Sequence, residues 1–404
     1  MRRSLFLASV IIVVCLQTGC WSRVELNRLG IISASSLDLS EDNQWVVSFQ
    51  IIIANSSQGG SGKNGSHSPV TVVSMKGSTI LEALQKCDLE TPRHLFYSHN
   101  RVLIISKRVA ERGINLLMDY YLRNNQAREN VNILITDGEA KPYLQVLTPL
   151  ETIPGNAISN MLNDRLDDQP KMTLSKIYQV MLALANPTAS ATMRELKLIG
   201  DGSKQQSLEA LQTTKNEGKL KLDRVAVFKG DKFKGWISRV DSLGIPWITN
   251  VLRSTDIPFY CNGEARKDQL SGFYVEKTHS QLKPRIKDGR LYMSIHIKVK
   301  GNLKETACRL ELKKSKALNH LKKPIEDAIK ENVNHTFLKL RELKADALGF
   351  GDAFHKAYPK EWKKLSKNWE QQFANITMDV TVAVKIRRAG MINDTFNMLS
   401  ENKD

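Results

Sequence analysis

Long hydrophobic runs are almost missing from this chain of 404 residues. Beyond residue 16 no apolar stretch approaches the roughly 20 residues that a membrane-spanning helix needs, and Val131–Thr136 is only strand-sized. A polytopic membrane protein is therefore excluded. Glycine and proline are too sparse, at 23 and 12 residues, for a collagen-like fibre. Cysteine is sparser still, with five residues and no Cys-x-x-Cys pair to suggest a zinc or dithiol site. The usual signatures of catalysis are missing as well. There is no Gly-x-Ser-x-Gly elbow, no His-Glu-x-x-His helix and no Gly-x-Gly-x-x-Gly fingerprint. Gly62-Lys63 is followed by Asn64, with no glycine five residues before Gly62, so it is not a phosphate-binding loop. No enzymatic activity, metal or dissociable cofactor is expected.

What is present is a globular composition, 41% apolar and 25% charged, of a length that suggests two or three domains. Its charge is lopsided. Lys and Arg outnumber Asp and Glu by 59 to 42, and of the net +17 only +3 falls in residues 1–200, against +14 in residues 201–404. The C-terminal half is the side expected to face something anionic, be it phospholipid, wall polymer or nucleic acid.

The N-terminus bears on cellular address. Met1-Arg2-Arg3 precedes the apolar Leu5–Leu16 (LFLASVIIVVCL), and Gln17-Thr18-Gly19-Cys20 closes it. Such a run is too short to cross a hydrocarbon core of roughly 30 Å and reads as the centre of a signal peptide. Its Gly-Cys ending resembles the lipobox of bacterial lipoproteins, with Gln17 standing where that motif usually has Leu. The resemblance implies removal of residues 1–19 and a covalent diacylglycerol or palmitate anchor on Cys20. Two or three acyl chains, at about 0.8 kcal/mol per buried CH₂, give stable anchoring. Cys87, Cys261 and Cys308 then remain, and they are expected as buried free thiols rather than as a disulfide framework.

Element signals divide the mature chain into three sequential mixed α+β units, 20–150, 151–262 and 263–404. In the first, Leu29–Ile32, Trp45–Ile53, Val70–Val73, Arg101–Ser106 and Val131–Thr136 read as strands. Ser78 can cap a helix through Ile80, Leu81, Leu84 and Cys87, and a second helix runs from about Val109 to Arg123. Residues 55–68 (NSSQGGSGKNGSHS) are a low-complexity loop. In the second unit, helical spacing at Ile158, Met161 and Leu162 returns over Leu174–Leu182 and stops at Asn186-Pro187. Val225–Ile237 forms a hairpin about Gly230-Asp231. The third unit is the clearest. Leu291, Met293, Ile295, Ile297 and Val299 alternate with polar residues, as do Met378–Ile386, giving one-faced strands. Between them, apolar residues from Leu318 through Ile325, Ile329, Val333 and Phe337 to Ala347 keep helical spacing. This long amphipathic helix is expected to stop at Gly349 and to pack across a sheet rather than form a coiled coil.

Candidate chemistry is thin. His94 and His99 are five residues apart, on opposite faces of a strand, and are not expected to share a metal. Asp167-Asp168 and Glu326-Asp327 read as solvated charge. Lys360, Lys363, Lys364 and Lys367 lie near Trp362 and Trp369, a combination seen in nucleic-acid grooves. However, Trp362, Leu365, Trp369 and Phe373 recur at helical spacing, as core anchors do, so no nucleic-acid partner is expected. For a lipid-tethered chain the nearer anion is the phospholipid headgroup, which attracts at about 1 kcal/mol per lysine.

Several segments together resemble the C-subunit lipoproteins of bacterial spore germinant receptors. The similarity starts at Gly19-Cys20-Trp21-Ser22-Arg23-Val24-Glu25-Leu26-Asn27, with Ser22 in place of the usual acid. It continues through Arg93–His99 (RHLFYSH) and Val225–Lys232 (VAVFKGDK) with Gly235-Trp236. It closes with Gly349-Phe350-Gly351-Asp352, Phe354, Pro359, Trp362, Trp369 and Phe373 before a strand ending at Gly390. The resemblance implies three domains of mixed sheets with helices. It also implies a non-enzymatic subunit on the outer face of the spore's inner membrane, assembled with a polytopic A subunit and a transporter-like B subunit. Such a complex senses small nutrients and triggers release of ions and dipicolinate. Of the family's functional residues only the lipidated cysteine transfers, to Cys20. A stand-alone solute-binding lipoprotein is the alternative expectation, and a cell-wall enzyme a more distant one.

Overall fold

The computed structural model describes residues 28–53, 68–124, 126–162, 176–261, 270–308 and 315–388, with the single positions 3, 6 and 25. Most of the expected signal segment, Cys20, most of the low-complexity stretch, Leu174 and Asp167-Asp168 lie outside the described residues. The first half comprises β1 (Leu29–Leu39), β2 (Trp45–Ile52), β3 (Val70–Gly77), α1 (Ile80–Glu90), β4 (His94–Phe96), β5 (Val102–Ser106), α2 (Lys107–Arg112), α3 (Asn115–Arg123), β6 (Asn132–Thr136), α4 (Pro154–Leu162), α5 (Ile177–Ala185) and β7 (Thr192–Gly200). The second comprises β8 (Gly218–Lys229), β9 (Lys232–Ile237), α6 (Gly244–Ile248), β10 (Thr255–Tyr260), β11 (Leu270–Lys287), β12 (Arg290–Glu305), α7 (Ser315–Leu343), α8 (Phe350–Ala357), α9 (Pro359–Leu365), α10 (Trp369–Ala374) and β13 (Thr377–Arg388). The architecture is α+β, built on two mixed sheets.

The first sheet has nine strands in the order β3-β2-β1-β5-β6-β7-β8-β9, with β4 beside the start of β1. Its centre, β1-β5-β6-β7, is parallel, and antiparallel pairs extend it on both sides. The strands VLIIS and NILIT lack polar alternation because both faces are covered. On one face Leu103, Ile105, Ile133 and Ile135 pack with Ile80, Leu84, Leu117, Ile177 and Val180 of α1, α3 and α5. On the other, Ile104 and Leu134 meet Leu144 and the α4 residues Ile158 and Leu162. Residue 150 falls inside the span of this sheet, whose strands continue to Ile237.

Two local expectations change. The helix expected over 109–123 is two, because Gly113 takes φ +120 between α2 and α3. A Cβ there would stand 2.5 Å from Asp231 Oδ2, so the break also makes room for the β8–β9 turn. The cap of α1 is Thr79 rather than Ser78: its hydroxyl accepts from the Glu82 N–H at 3.1 Å, while the Glu82 carboxylate accepts from the Ser78 N–H at 2.8 Å.

The second sheet, β10-β11-β12-β13, is antiparallel apart from the parallel β12–β13 pair. The crossover α7–α10 covers one face. Leu291, Met293, Ile295, Ile297 and Val299 of β12 share a core with Leu321, Ile325, Ile329, Val333 and Phe337 of α7. Helix α7 ends before the expected stop at Gly349, because Lys344 adopts a left-handed φ of 53. The next turn is organised by the buried Asp346 carboxylate. It accepts from the N–H groups of Leu348, Phe350 and Gly351 and from the Trp369 indole, at 2.7–3.1 Å. Trp362, Trp369 and Phe373 are core residues, as their spacing implied, although they are divided between α9 and α10.

The cysteine expectation is corrected. Cys261 and Cys308 form a disulfide with a Cα separation of 5.6 Å. The β10-β11-β12 meander brings together two residues 47 apart in sequence. Cys87 is free and buried.

Candidate functional site

Strand β1 carries Ser33, Ser35, Ser36 and Asp38, all buried, in an otherwise apolar sequence. Buried polar groups need partners, and each of these has a particular one or a particular lack. Ser33 Oγ donates to Gln50 Oε1 at 2.7 Å, and the same oxygen accepts from the Gly155 N–H at 2.8 Å. Gln50 Nε2 donates to the Leu144 carbonyl at 2.5 Å. Helix α4 can sit this close only through Gly155, where a Cβ would lie 2.8 Å from the Ser33 carbonyl. The Asp38 carboxylate accepts from the N–H groups of Ala140 and Lys141 at 2.9 and 3.2 Å, and burial pushes its pKa up against the pull of those bonds.

Ser35 and Ser36 border a cavity of about 40 Å³ between β1, β2, α1 and α3 that opens to the surface beside the exposed Arg128. Its walls are mostly apolar, among them Leu37, Val47, Phe49 and Leu84, and its polar end holds Asn100, Tyr97, Tyr120 and Tyr121. Asn100 Nδ2 donates to Ser35 Oγ at 2.8 Å. Ser36 Oγ, 0% exposed, and Asn100 Oδ1 have no protein partner. Burial raises the pKa of all three tyrosines, so their hydroxyls stay neutral. A space of this size suits a few waters and not an amino acid or sugar. Outside it, Leu81 of α1 and Leu116 of α3, each 59% exposed, line an open groove with Trp45 and Arg112.

The residues singled out in sequence for chemistry do not converge. His94 and His99 are both exposed, His94 on β4 and His99 in the following turn, with its ring 5.3 Å from that of Phe96. Glu326 accepts from the Val384 N–H at 3.0 Å and ties α7 to β13, while Asp327 pairs with Lys323. Buried Glu195 is held at both oxygens by Arg224, at 2.6 and 2.7 Å, and that guanidinium lies 4.3 Å from the centre of the Trp236 ring. Among the described residues no group of three His, Cys, Asp or Glu side chains is placed to hold a metal. Sequence reasoning picked out none of Ser35, Ser36, Asn100 and Tyr121. The available signal was a run of polar residues inside an apolar strand.

Known protein families account for both halves of the chain. The pattern described as spore germination protein N-terminal domain matches residues 22–197, and that described as spore germination B3/GerAC like, C-terminal, matches residues 223–390. The chain belongs to the GerAC-like family of spore germination proteins. Spore germination protein KC of Bacillus subtilis (strain 168) is 29% identical, over 97% of each chain. Spore germination protein B3 of the same organism is 23% identical, over 93% of this chain and 95% of its own. The crystal structure of the GerBC protein shares the fold, with a TM-score of 0.55 and 18% identity over 87% of this chain and 96% of that one. In this GerAC-like chain the C-terminal pattern begins within β8, a strand that pairs with β7 in the first sheet.

Proposed function

We propose that this chain is the lipid-anchored, non-enzymatic C subunit of a nutrient germinant receptor. It works on the outer face of the spore's inner membrane, in a complex with a polytopic A subunit and a transporter-like B subunit. The observation that carries this reading is the near full-length match to spore germination proteins. The Cys261–Cys308 disulfide supports an extracytoplasmic setting, because cytosolic thiols are kept reduced. The lipobox-like Gly19-Cys20 supplies the tether, and the acyl chains on Cys20 are the one non-protein group the reading requires. Leucines left exposed on α1 and α3 support work in contact with other chains. The net positive C-terminal half supports contact with anionic headgroups.

The test is dipicolinate release from intact spores of a null strain and a Cys20→Ala strain, across amino acids, sugars and nucleosides. Dodecylamine and high pressure report general competence. Loss of one nutrient's response in both strains, with the controls intact, is the expected result. An unchanged panel in a background lacking the other receptors overturns the reading. The partnerless polar atoms of the β1 cavity favour a second reading, a stand-alone solute-binding lipoprotein. That reading requires the cavity to widen on binding and predicts a rise in Tm with one nutrient.

A further inference from the structure

We infer that the open face of the second sheet is a docking surface for anionic phospholipid headgroups. The inference rests on the membrane-anchored reading above and names the face that meets the bilayer. Strands β11, β12 and β13 are covered on one side, by α6 and the α7–α10 crossover. Their other side is exposed, and Lys and Arg dominate it. Lys277 stands directly opposite Lys300, and Lys300 opposite Lys385, so three exposed lysines form one row across three strands. Lys298 lies next to that row, and Lys283 and Arg285 extend the positive surface along β11. The acids on this face are Glu276, already engaged by Arg387 at 3.1 Å, Asp379, and, toward the β10 end away from the lysine row, Asp256 opposite Tyr274 and Glu305 opposite Gly272.

Like charges placed directly opposite on neighbouring strands destabilise a sheet. The lysine row therefore weakens the free protein and gains from a counter-charge. Its shape says which kind. The cations spread over a sheet surface rather than into a cleft, which matches a field of headgroups and not one small anion. A tether at Cys20 holds the chain where such a field is dense, and each lysine near it adds attraction.

The test uses the chain from Trp21 onward, which keeps both sheets, all three cores and the disulfide, so that binding is read without the anchor. Vesicles of phosphatidylcholine alone are compared with vesicles containing phosphatidylglycerol, at low and high salt. Binding is expected only to the anionic vesicles and is expected to fall with salt. The triple change Lys277→Glu, Lys300→Glu, Lys385→Glu is expected to weaken it by about a hundredfold or more. Lys360→Glu, Lys363→Glu, Lys364→Glu on α9 alters net charge equally and is expected to leave binding within about threefold, since those lysines lie off the face. Lys300→Glu alone places a carboxylate between two lysines. It is expected to keep or raise Tm while lowering binding, which separates docking from misfolding. No binding to anionic vesicles, or equal weakening by the two triple changes, overturns the inference. A flat vesicle result beside a nutrient-specific germination defect retires this surface and leaves the receptor reading standing. The reverse pattern retires the receptor reading alone.

Discussion

Asp346 shows what one buried carboxylate does for a chain that has just left a helix. Three backbone N–H groups and an indole N–H converge on it. Replacing it with Ala leaves four buried donors without an acceptor, at about 1–3 kcal/mol for each one that cannot relax toward water. Asp346→Ala is expected to lower unfolding free energy by about 3–5 kcal/mol, read from urea titration, and a loss below about 1 kcal/mol would refute this account. Asp137 stabilises through its charge, at the surface. The hydrogen bond from Arg224 holds its carboxyl below the usual range. A depressed folded value means stability that is present above the unfolded value, near 3.9, and lost as pH falls through the folded one. Half of this side chain is exposed, so the effect is small. Wild type is expected to melt above Asp137→Asn at neutral pH and to lose that advantage in strong acid. An advantage that survived there would contradict the pairing. None of this was legible in the sequence. Asp346 lies in a stretch that reads as more of α7, and no pattern marks which acid will meet four donors.

At the scale of elements, legibility followed periodicity. β12, β13 and α7 were plain because one face of each is apolar and meets the others. β11 was hidden, since its covered positions include Thr278, Ser280 and Pro284 and its alternation is weak. Pro284 is tolerated because β10 pairs only with Leu270–Val275, leaving the rest of β11 at an edge. The break between α2 and α3 depends on a contact with Asp231, far along the chain, which spacing cannot show. Gly113→Ala is expected to destabilise by about 1–3 kcal/mol, because it strains a positive φ and crowds that carboxylate. A neutral result in thermal melts would mean that the β8–β9 turn moves freely. The disulfide was hidden for the same reason. Closing a loop of this length is worth roughly 2–4 kcal/mol, so Cys261→Ser with Cys308→Ser is expected to lower the unfolding free energy by that amount, read as a lower urea midpoint. Equal midpoints for the double variant and wild type would show that the meander holds the loop closed unaided.

For the whole molecule, the question is whether two sheets make two folding units. β8 argues that they do not. Val225 and Val227 face the core of the second sheet, whereas Ala226 and Phe228 face that of the first. Ile237 of β9 joins the second core as well. Polar ties run alongside: the Ser190 N–H donates to the Asp346 carbonyl at 2.9 Å, Asn186 Nδ2 to Asp352 at 2.8 Å, and Lys229 meets Glu370 at 2.6 Å. A cut on either side of β8 would expose apolar residues that now complete the neighbouring core. Sequence alone divides the chain by where patterns change, and it cannot show one strand serving two cores. One calorimetric transition is therefore expected, with calorimetric and van't Hoff enthalpies in agreement. Val227→Ala, at about 2 kcal/mol, is expected to shift that transition as a whole rather than split it. Two separate transitions in the wild type, with only the upper or only the lower one moved by Val227→Ala, would show that the sheets unfold independently and that β8 belongs energetically to one of them.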